Sequence, residues 1–343
     1  GVLRIMELED VQVFEPTSRQ LEPACGHPAP WVTRGFTGLG RLCQLGATGL
    51  RSLQRSVGVE DWERIAVYVS TSSGHHARLH AEQEGAPEGD AGTFQAHLQS
   101  LVSRMLKVAG VRQEPQLQKV FSGEAGFFLA LQEAAELLRQ GRVERCIVGG
   151  VDSFVEPQQV RQLDALRLLK SPANPVGFVP GEAAVFLLLE SPAAALRRKA
   201  SLQALLDAPR LRAEPFHRKS GQPALGMALA GCIRDTLLAA REHREPVGLV
   251  IAGLNGDAYR AQDWGHALVR LRTEGLVEAG VPEWYPAFPF GETGAATGPL
   301  GVAMAAHGFA RGYAPPGVAL LWVGSDMGER CALRIHAPGA LQD

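Results

Sequence analysis

The sequence is poor in the residues that build disulfide frameworks and metal centres. Only five of its 343 residues are cysteines, and no pair of them is spaced as CxxC. They are scattered along the chain, at Cys25, Cys43, Cys146, Cys232 and Cys331. An odd and scattered set of thiols argues against a disulfide framework or a cysteine-ligated zinc site. We therefore expect a protein of a reducing compartment, the cytoplasm.

The chain also lacks an excess of charge and long apolar runs. Its 34 basic and 36 acidic residues give a net charge of −2, which provides no electrostatic attraction for nucleic acid. Its longest apolar runs, such as residues 183–189, fall far short of the ~18 residues that a membrane span requires. No charged-then-apolar signal segment opens the sequence. We expect no nucleic acid, no membrane span and no cofactor, since "GGVDS" (149–153) is not a phosphate loop.

Apolar residues are plentiful enough for a large core. They make up 45% of the chain, and at ~150 residues per domain the length suggests about two domains or fused halves. Short apolar runs typical of buried strands alternate with segments of helical spacing. We predict strands at 64–74, 145–153, 183–190, 246–256 and 317–328, and helices at 130–141 and 298–312. This alternation predicts an α/β fold with a helix-covered sheet in each half.

One short pattern occurs twice. The segments "FSGEAGFFLAL" (121–131) and "FGETGAATGPLGVAMA" (290–305) each place a glutamate after a glycine and before a predicted helix. In both copies a strand follows the helix, so the order of strand, turn, helix and strand recurs. The repeat predicts a duplicated α/β half. Glu124 and Glu292 would lie at equivalent helix N-termini, where the helix dipole favours negative charge.

Other stretches resemble a known family. "VGGVDSF" (148–154) and "NPVGFVPGEAAVFLLLE" (174–190) resemble the "GG(V/A)(D/E)" and "GFVxGEGAxxLVLE" segments of the β-ketoacyl-acyl-carrier-protein synthases of the thiolase superfamily. "GETGAATG" resembles the family's "GHTxGAAG" turn, and residues 323–335 resemble its C-terminal "FGFGGTNAxLV" segment. The resemblance implies the thiolase fold, in which two pseudo-twofold-related α/β halves, here residues 1–200 and 201–343, form a five-layer αβαβα arrangement that is usually dimeric.

The resemblance implies that the family's three catalytic positions are occupied here by residues with different side-chain chemistry. The family's cysteine falls on Glu124, its first histidine on Gly253 and its second histidine on Glu292. A carboxylate is not a comparable nucleophile toward a thioester at neutral pH, where the family uses a thiolate. The two histidines normally support decarboxylation and stabilise the developing oxyanion. The resemblance therefore implies that condensing activity has been lost.

Three roles are open for the two glutamates. As helix caps in an inactive site, each would contribute about 1 kcal/mol or less, independently of the other. As a pair facing one pocket they would repel, so that one holds a proton and acts as general acid while its partner acts as base. They would also suit a hard cation together with Asn255 and Asp257. Since the resemblance places both positions in one site, we expect their contributions to stability to be coupled.

Several polar side chains lie near these turns in the sequence. We assign the lining of a substrate site to Ser122, Asn255, Asp257 and Thr293. Ser122 is a poor candidate for a nucleophile, because it is not in a GxSxG elbow and no histidine can be assigned as its base. His75 and His76 follow a predicted strand and read as a surface pair or as pocket residues. His307, inside a predicted helix, reads as a packing residue.

The favoured function is that of a ketosynthase-like protein without condensing activity in fatty-acid or polyketide-type metabolism. Family members without the cysteine include chain-length-factor partners of an active ketosynthase. The resemblance thus implies an acyl-binding or partner subunit, as a homodimer or as a heterodimer with an active ketosynthase, with acyl-CoA or acyl carrier protein as further partners. The predicted strand 116–121 could pair across a twofold axis. The alternative is an acyltransferase or acyl-thioester enzyme that uses Glu124 and Glu292 as an acid–base pair.

Overall fold

A computed structural model describes residues 4–59, 61–72, 98–239 and 245–341. The strands are β1 (Met6–Glu15), β2 (Gln20–Gly26), β3 (Ile65–Thr71), β4 (Leu117–Ser122), β5 (Arg145–Ser153), β6 (Glu182–Leu189), β7 (Leu205–Leu206), β8 (Arg210–Ala213), β9 (Val247–Ala252), β10 (Glu283–Trp284), β11 (Val318–Gly324) and β12 (Glu329–His336). The α-helices are α1 (Pro30–Thr33), α2 (Gly38–Val57), α3 (Leu101–Ala109), α4 (Gly126–Arg139), α5 (Pro157–Ala165), α6 (Pro192–Arg197), α7 (Met227–Leu238), α8 (Ala258–Thr273), α9 (Ala287–Phe290) and α10 (Thr297–Arg311).

Two sheets of matching topology form the body of the molecule. The first has the order β4-β3-β5-β6, and the second has the order β10-β9-β11-β12-β7, with β8 also pairing with β12. In the first sheet β3 is parallel to β4 and β5, and β5 is antiparallel to β6. In the second sheet β9 is parallel to β10 and β11, and β11 is antiparallel to β12. The duplicated α/β arrangement predicted from the repeated turn is therefore confirmed.

Helices α4 and α10 occupy equivalent places in the two halves. Helix α4 connects β4 to β5, and α10 follows β10 and connects to β11. Strands of the first sheet lie between residues 65 and 189, and those of the second between 205 and 336. The division at residue 200 itself stays a prediction.

Three of the four apolar core clusters among the described residues pack against the two sheets. The central cluster joins α4 and α10, through residues such as Phe127 and Val302, to the inner faces of both sheets. One outer cluster packs α2 and α3 on the first sheet, and the other packs α7 and α8 on the second. The order of layers is thus helices, sheet, helices, sheet, helices, as predicted for a thiolase-like fold.

The most buried strands are those that read as uninterrupted apolar runs. All residues of β3 and β11 are buried, because each strand lies between two layers of helices. Both strands are shorter than the segments 64–74 and 317–328 predicted from sequence. No helix among the described residues is long and apolar enough to cross a membrane.

Candidate functional site: the two glutamate turns

Each repeated turn is shaped by the glycine that precedes its glutamate. Gly123 has a φ angle of 75° and Gly291 one of 73°, a left-handed conformation that residues with a Cβ rarely adopt. The backbone therefore selects glycine in both copies. Glu124 lies two residues before the first residue of α4. Glu292 precedes the short 3₁₀ turn Gly294–Ala296, which leads into α10.

The Glu292 turn is held in place by segment 177–181. The N–H of Glu292 donates to the carbonyl of Val179 at 2.8 Å, and the carbonyl of Glu292 accepts from the N–H of Gly181 at 2.9 Å. A Cβ at Gly181 would lie only 2.0 Å from the carbonyl oxygen of Phe290. Only glycine allows the two chains to approach this closely. The "GFVPG" segment that carries part of the family resemblance therefore positions the second turn.

A buried arginine lies between the two glutamates. Arg260 lies in the first turn of α8 and is 6% exposed. Its Nη1 atom is 2.9 Å from Oε2 of Glu292, and its Nη2 atom is 3.6 Å from Oε1 of Glu124. The same Nη2 atom is 3.8 Å from Oδ1 of Asp326. Arg260 thus forms one hydrogen-bonded ion pair and two longer electrostatic contacts, and it joins the turns of both halves.

Both side-chain oxygens of Glu292 accept hydrogen bonds. Its Oε1 accepts the N–H of Gly294 at 2.8 Å. Its Oε2 accepts from Nδ2 of Asn255 at 2.5 Å and from Arg260. The residue is only 4% exposed, so these charged and polar donors replace the water that a carboxylate would otherwise bind. Asn255 was assigned to the site from the sequence, and it contacts Glu292 directly.

A second arginine extends the cluster toward the surface. Arg218 donates to both carboxylate oxygens of Asp257, and its Nε atom is 3.0 Å from Oδ2 of Asp326. Asp257 is also the N-cap of α8, where its side chain accepts the N–H of Arg260 at 3.2 Å. Asp257 was predicted to line the site, and its observed role is to hold one arginine and to begin the helix that carries the other.

The cluster contains four carboxyl groups and only two guanidinium groups. Of the four, Glu124 lies farthest from a guanidinium nitrogen, at 3.6 Å. Burial raises the pKa of Glu124 to about 8, and Asp326 and Glu292 add to the rise, while Arg260 opposes it. Glu124 is therefore mostly protonated at neutral pH. Burial alone would lower the pKa of Arg260, but the surrounding carboxylates, Glu292 foremost, hold it above its ordinary value.

The arrangement differs from the helix-cap interpretation of the two glutamates. The N-cap positions of α4 and α10 are Ala125 and Ala296, whose side chains cannot accept a hydrogen bond. Glu124 instead faces Arg260, and Glu292 accepts from the 3₁₀ turn that precedes α10. The pattern of the two turns predicts two carboxyl groups in one site and gives no sign of the cation between them.

The position assigned to the family's first histidine leaves little room for a side chain. Gly253 follows β9, is buried, and its carbonyl accepts a long 3.4 Å hydrogen bond from Arg260. A Cβ at Gly253 would lie 3.0 Å from the carbonyl oxygen of Trp322. A larger residue would require the backbone to move.

The remaining predicted residues lie around the cluster without joining it. Ser122 is exposed at the end of β4. Thr293 is buried, and its hydroxyl shares a 3.1 Å hydrogen bond with that of Thr297. His75 and His76 lie outside the described residues. Over residues 4–59, 61–72, 98–239 and 245–341, no group of three His, Cys, Asp or Glu side chains is arranged to hold a metal ion.

Sequence reasoning missed the three residues Arg260, Arg218 and Asp326. Arg260 lies three positions after the helix-capping Asp257, so its backbone N–H is expected at the cap. This spacing gives no sign that the Arg260 side chain turns inward. Arg218 lies in a basic stretch that reads as a solvated loop, and Asp326 lies in the loop after β11. Only the three-dimensional arrangement shows that the three side chains converge.

Comparisons with known proteins agree with this architecture. Residues 52–195 match the family described as beta-ketoacyl synthase, N-terminal domain. The chain is 26% identical over 276 residues to the tetracenomycin polyketide synthase ketoacyl synthase alpha subunit of Streptomyces glaucescens. That match covers 74% of this chain and 64% of the relative, so the chain spans less than two thirds of the relative's length.

Solved ketosynthase structures share the fold. A type II polyketide synthase acyl-carrier protein in complex with its ketosynthase, AntDE:AntF, superposes with a TM-score of 0.69 at 19% identity, covering 91% of this chain and 88% of that one. The ketosynthase from module 6 of the bacillaene synthase of Bacillus subtilis 168 gives 0.68 at 14% identity, covering 87% and 59%. The chain therefore shares the fold of these ketosynthases, and its residues 52–195 match the beta-ketoacyl synthase N-terminal domain.

Proposed function

We propose that this protein is a ketosynthase-like subunit without condensing activity, which acts as the partner of an active ketosynthase in the manner of a chain-length factor. The observation that carries the proposal is the position of Arg260. Its guanidinium group lies between Glu124 and Glu292, the two positions that the family resemblance assigns to the nucleophile and the second histidine. A site filled by paired charges leaves no thiolate and no free base for acyl transfer.

The protonation of Glu124 supports the same proposal. A carboxyl group whose pKa is raised to about 8 by burial is neutral at pH 7 and is a weak nucleophile in that form. Glu292 is fully engaged by Arg260, Asn255 and the Gly294 N–H. Neither carboxyl group is placed to accept an acyl chain while the cluster is intact.

Pairing with an active homologue would give such a subunit its role. Strand β4 lies at one edge of the first sheet as the described residues form it, and an edge strand can pair through its outward N–H and C=O groups with a strand of another chain. We propose a dimer through this edge, in the cytoplasm, with either a second copy or a cysteine-containing ketosynthase. Acyl carrier protein or acyl-CoA would then be substrates of the assembled pair.

Co-expression tests this proposal. We expect the chain to co-purify with a cysteine-containing ketosynthase from the same organism, and the pair to extend an acyl chain with malonyl-charged carrier protein that neither subunit extends alone. A matched variant, Lys119→Pro in β4, should reduce co-purification because proline cannot donate to a strand ladder. A ketosynthase that is equally active with and without this chain would overturn the proposal.

A second candidate rests on the raised pKa of Glu124. A carboxylic acid that holds its proton at neutral pH is suited to donate it, which is the property expected of a general acid in an acyltransferase or acyl-thioester enzyme. The test is thioester hydrolysis by the purified protein at pH 7, compared with its Glu124→Gln variant. Loss of a measurable activity in that variant would favour this candidate over the partner subunit.

A further inference from the structure

A pocket of about 750 Å³ lies at the outer edge of the second sheet, beside β10. It is separate from the ion cluster, and nothing in the proposed function uses it. Its walls come from β10 and the residue after it, from α9, from α10 and from the loop after α10. The lining residues are Glu283, Trp284, Tyr285, Phe288, Pro289, Phe290, Leu300, Ala303, Met304, His307 and Tyr313.

One face of α10 forms a wall of the pocket. Leu300, Ala303, Met304 and His307 recur at the spacing that places side chains on one face of a helix. The opposite face of α10 belongs to the core, where Val302 joins the central cluster. His307 was predicted to be a packing residue, whereas the structure places it exposed at the rim of this pocket.

The aromatic residues that face α10 across the pocket, Trp284 and Tyr313, are closely packed. A Cβ at Gly308 would lie 2.7 Å from the ring of Trp284, so the indole lies directly against the backbone of α10. The ring of Tyr313 lies 5.5 Å from that of Trp284 and makes an edge contact with His307 at 6.1 Å. Trp284 is therefore fixed in place before any ligand arrives, which reduces the entropy lost on binding.

The charge of the pocket restricts what it can bind. Among its lining residues, Glu283 alone carries a formal charge at neutral pH. Its Oε2 accepts from Nε1 of Trp264 at 3.1 Å and from the hydroxyl of Tyr285 at 3.2 Å. A negative wall without a cation disfavours carboxylate, phosphate and sulfonate ligands. The hydroxyl of Tyr285 and the ring nitrogens of His307 supply hydrogen-bonding groups for a neutral ligand.

The size of the pocket favours a small molecule over a protein partner. Its volume lies within the ~300–1,000 Å³ that is usual for small-molecule sites. A compact cavity of this volume would be only ~11 Å across, which suits a small molecule. Phe288, which is 87% exposed at the mouth, would bury its ring against a ligand that enters.

We propose that this aromatic pocket binds a flat, uncharged aromatic molecule that carries hydroxyl or carbonyl groups. The rings of Trp284, Phe288 and Tyr313 would contact its faces and edges, and His307 and Tyr285 would bond to its oxygen substituents. The inference does not depend on the loss of condensing activity, since none of these residues belongs to the ion cluster.

Fluorescence titration tests the inference with N-phenyl-1-naphthylamine, a neutral aromatic probe. We expect saturable binding at one site, with energy transfer from tryptophan that is reduced in Trp284→Phe. Phe288→Ala should weaken binding about tenfold, because it removes one exposed aromatic contact. Gly308→Ala should weaken it as well, since the added methyl group displaces the Trp284 ring. The anionic 8-anilinonaphthalene-1-sulfonate should bind more weakly than the neutral probe.

A matched control is Leu196→Ala, which truncates an apolar side chain that is 66% exposed elsewhere on the surface. It should leave probe binding unchanged. Equal binding by the Phe288→Ala, Gly308→Ala and Leu196→Ala proteins would overturn the inference. So would a dimer in sedimentation that Phe288→Ala dissociates and that the probe does not affect, because a second copy would then cover the pocket.

Discussion

The two repeated turns share a backbone but differ in how their glutamates are held. Both place a left-handed glycine before the glutamate, Gly123 in one half and Gly291 in the other. Glu292 accepts three hydrogen bonds on its side-chain oxygens, whereas the side chain of Glu124 lies 3.6 Å from Arg260. Burial raises the pKa of Glu124 to about 8. A duplicated fold therefore repeats the position of a side chain without repeating its hydrogen-bond partners.

The difference arises because one cation serves both turns. Arg260 comes from the second half and lies closer to the glutamate of its own half. Asn255, which also comes from the loop between β9 and α8, donates to Glu292. Burial without enough donors leaves Glu124 neutral.

Removing the shared cation should have the largest effect. Arg260→Ala would leave Glu292 buried without its ion pair, which typically destabilises a fold by ~3–5 kcal/mol. Urea denaturation at pH 7 should show this loss, and neither turn would then contact the arginine that joins them. The control is Arg139→Ala, since Arg139 forms a solvent-screened surface pair with Glu136 whose loss should change stability little. Similar losses in both variants would contradict the account.

The pH dependence of stability should identify Glu124 as the neutral member. A carboxyl group whose pKa rises from 4.5 in the unfolded chain to about 8 in the fold binds more protons when folded across that window. Its contribution to stability is therefore complete below pH 4.5 and is lost as the pH rises toward 8. Glu124→Gln should remove this part of the slope and should be more stable than the parent protein at pH 8.5. An unchanged slope in the variant would show that Glu124 is ionised throughout.

Only part of this site could be predicted from the sequence. The repeated "GE" turns, the buried strands and the family motifs all depend on local pattern, and the structure confirms the fold that they imply. Nothing in the sequence distinguishes Arg260 and Arg218 from arginines that lie on the protein surface. The two side chains turn inward because the segments that follow β9 and β8 converge on the two turns. Hydrophobic periodicity does not reveal such a convergence. The sequence therefore predicts two carboxylates near one another but not the cation between them.

A double-mutant cycle measures how strongly the two turns are coupled. Because Glu124 and Glu292 share Arg260, Glu124→Gln and Glu292→Gln should be non-additive, with a coupling energy of roughly 0.5–3 kcal/mol at neutral pH. Thermal denaturation of the four proteins provides the values, and strictly additive losses would show that the two carboxyl groups act independently.

We expect the smallest change in stability from Ser122, which was assigned to the site only because it is close to Glu124 in the sequence. Ser122 is exposed at the end of β4, and Ser122→Ala should change the free energy of unfolding by less than about 0.5 kcal/mol. Co-purification with an active ketosynthase should also be unchanged. A marked loss of either would mean that the first turn has a function outside the ion cluster.

The most direct test of the loss of condensing chemistry is intact-protein mass spectrometry after incubation with acyl-CoA and acyl-charged carrier protein. The account predicts no acyl adduct on the protein at pH 7. Glu124→Cys alone should acquire at most a weak adduct, because Gly253 and Glu292 still replace the two histidines and Arg260 still occupies the site. A stable, stoichiometric acyl adduct on the unmodified protein would contradict the account.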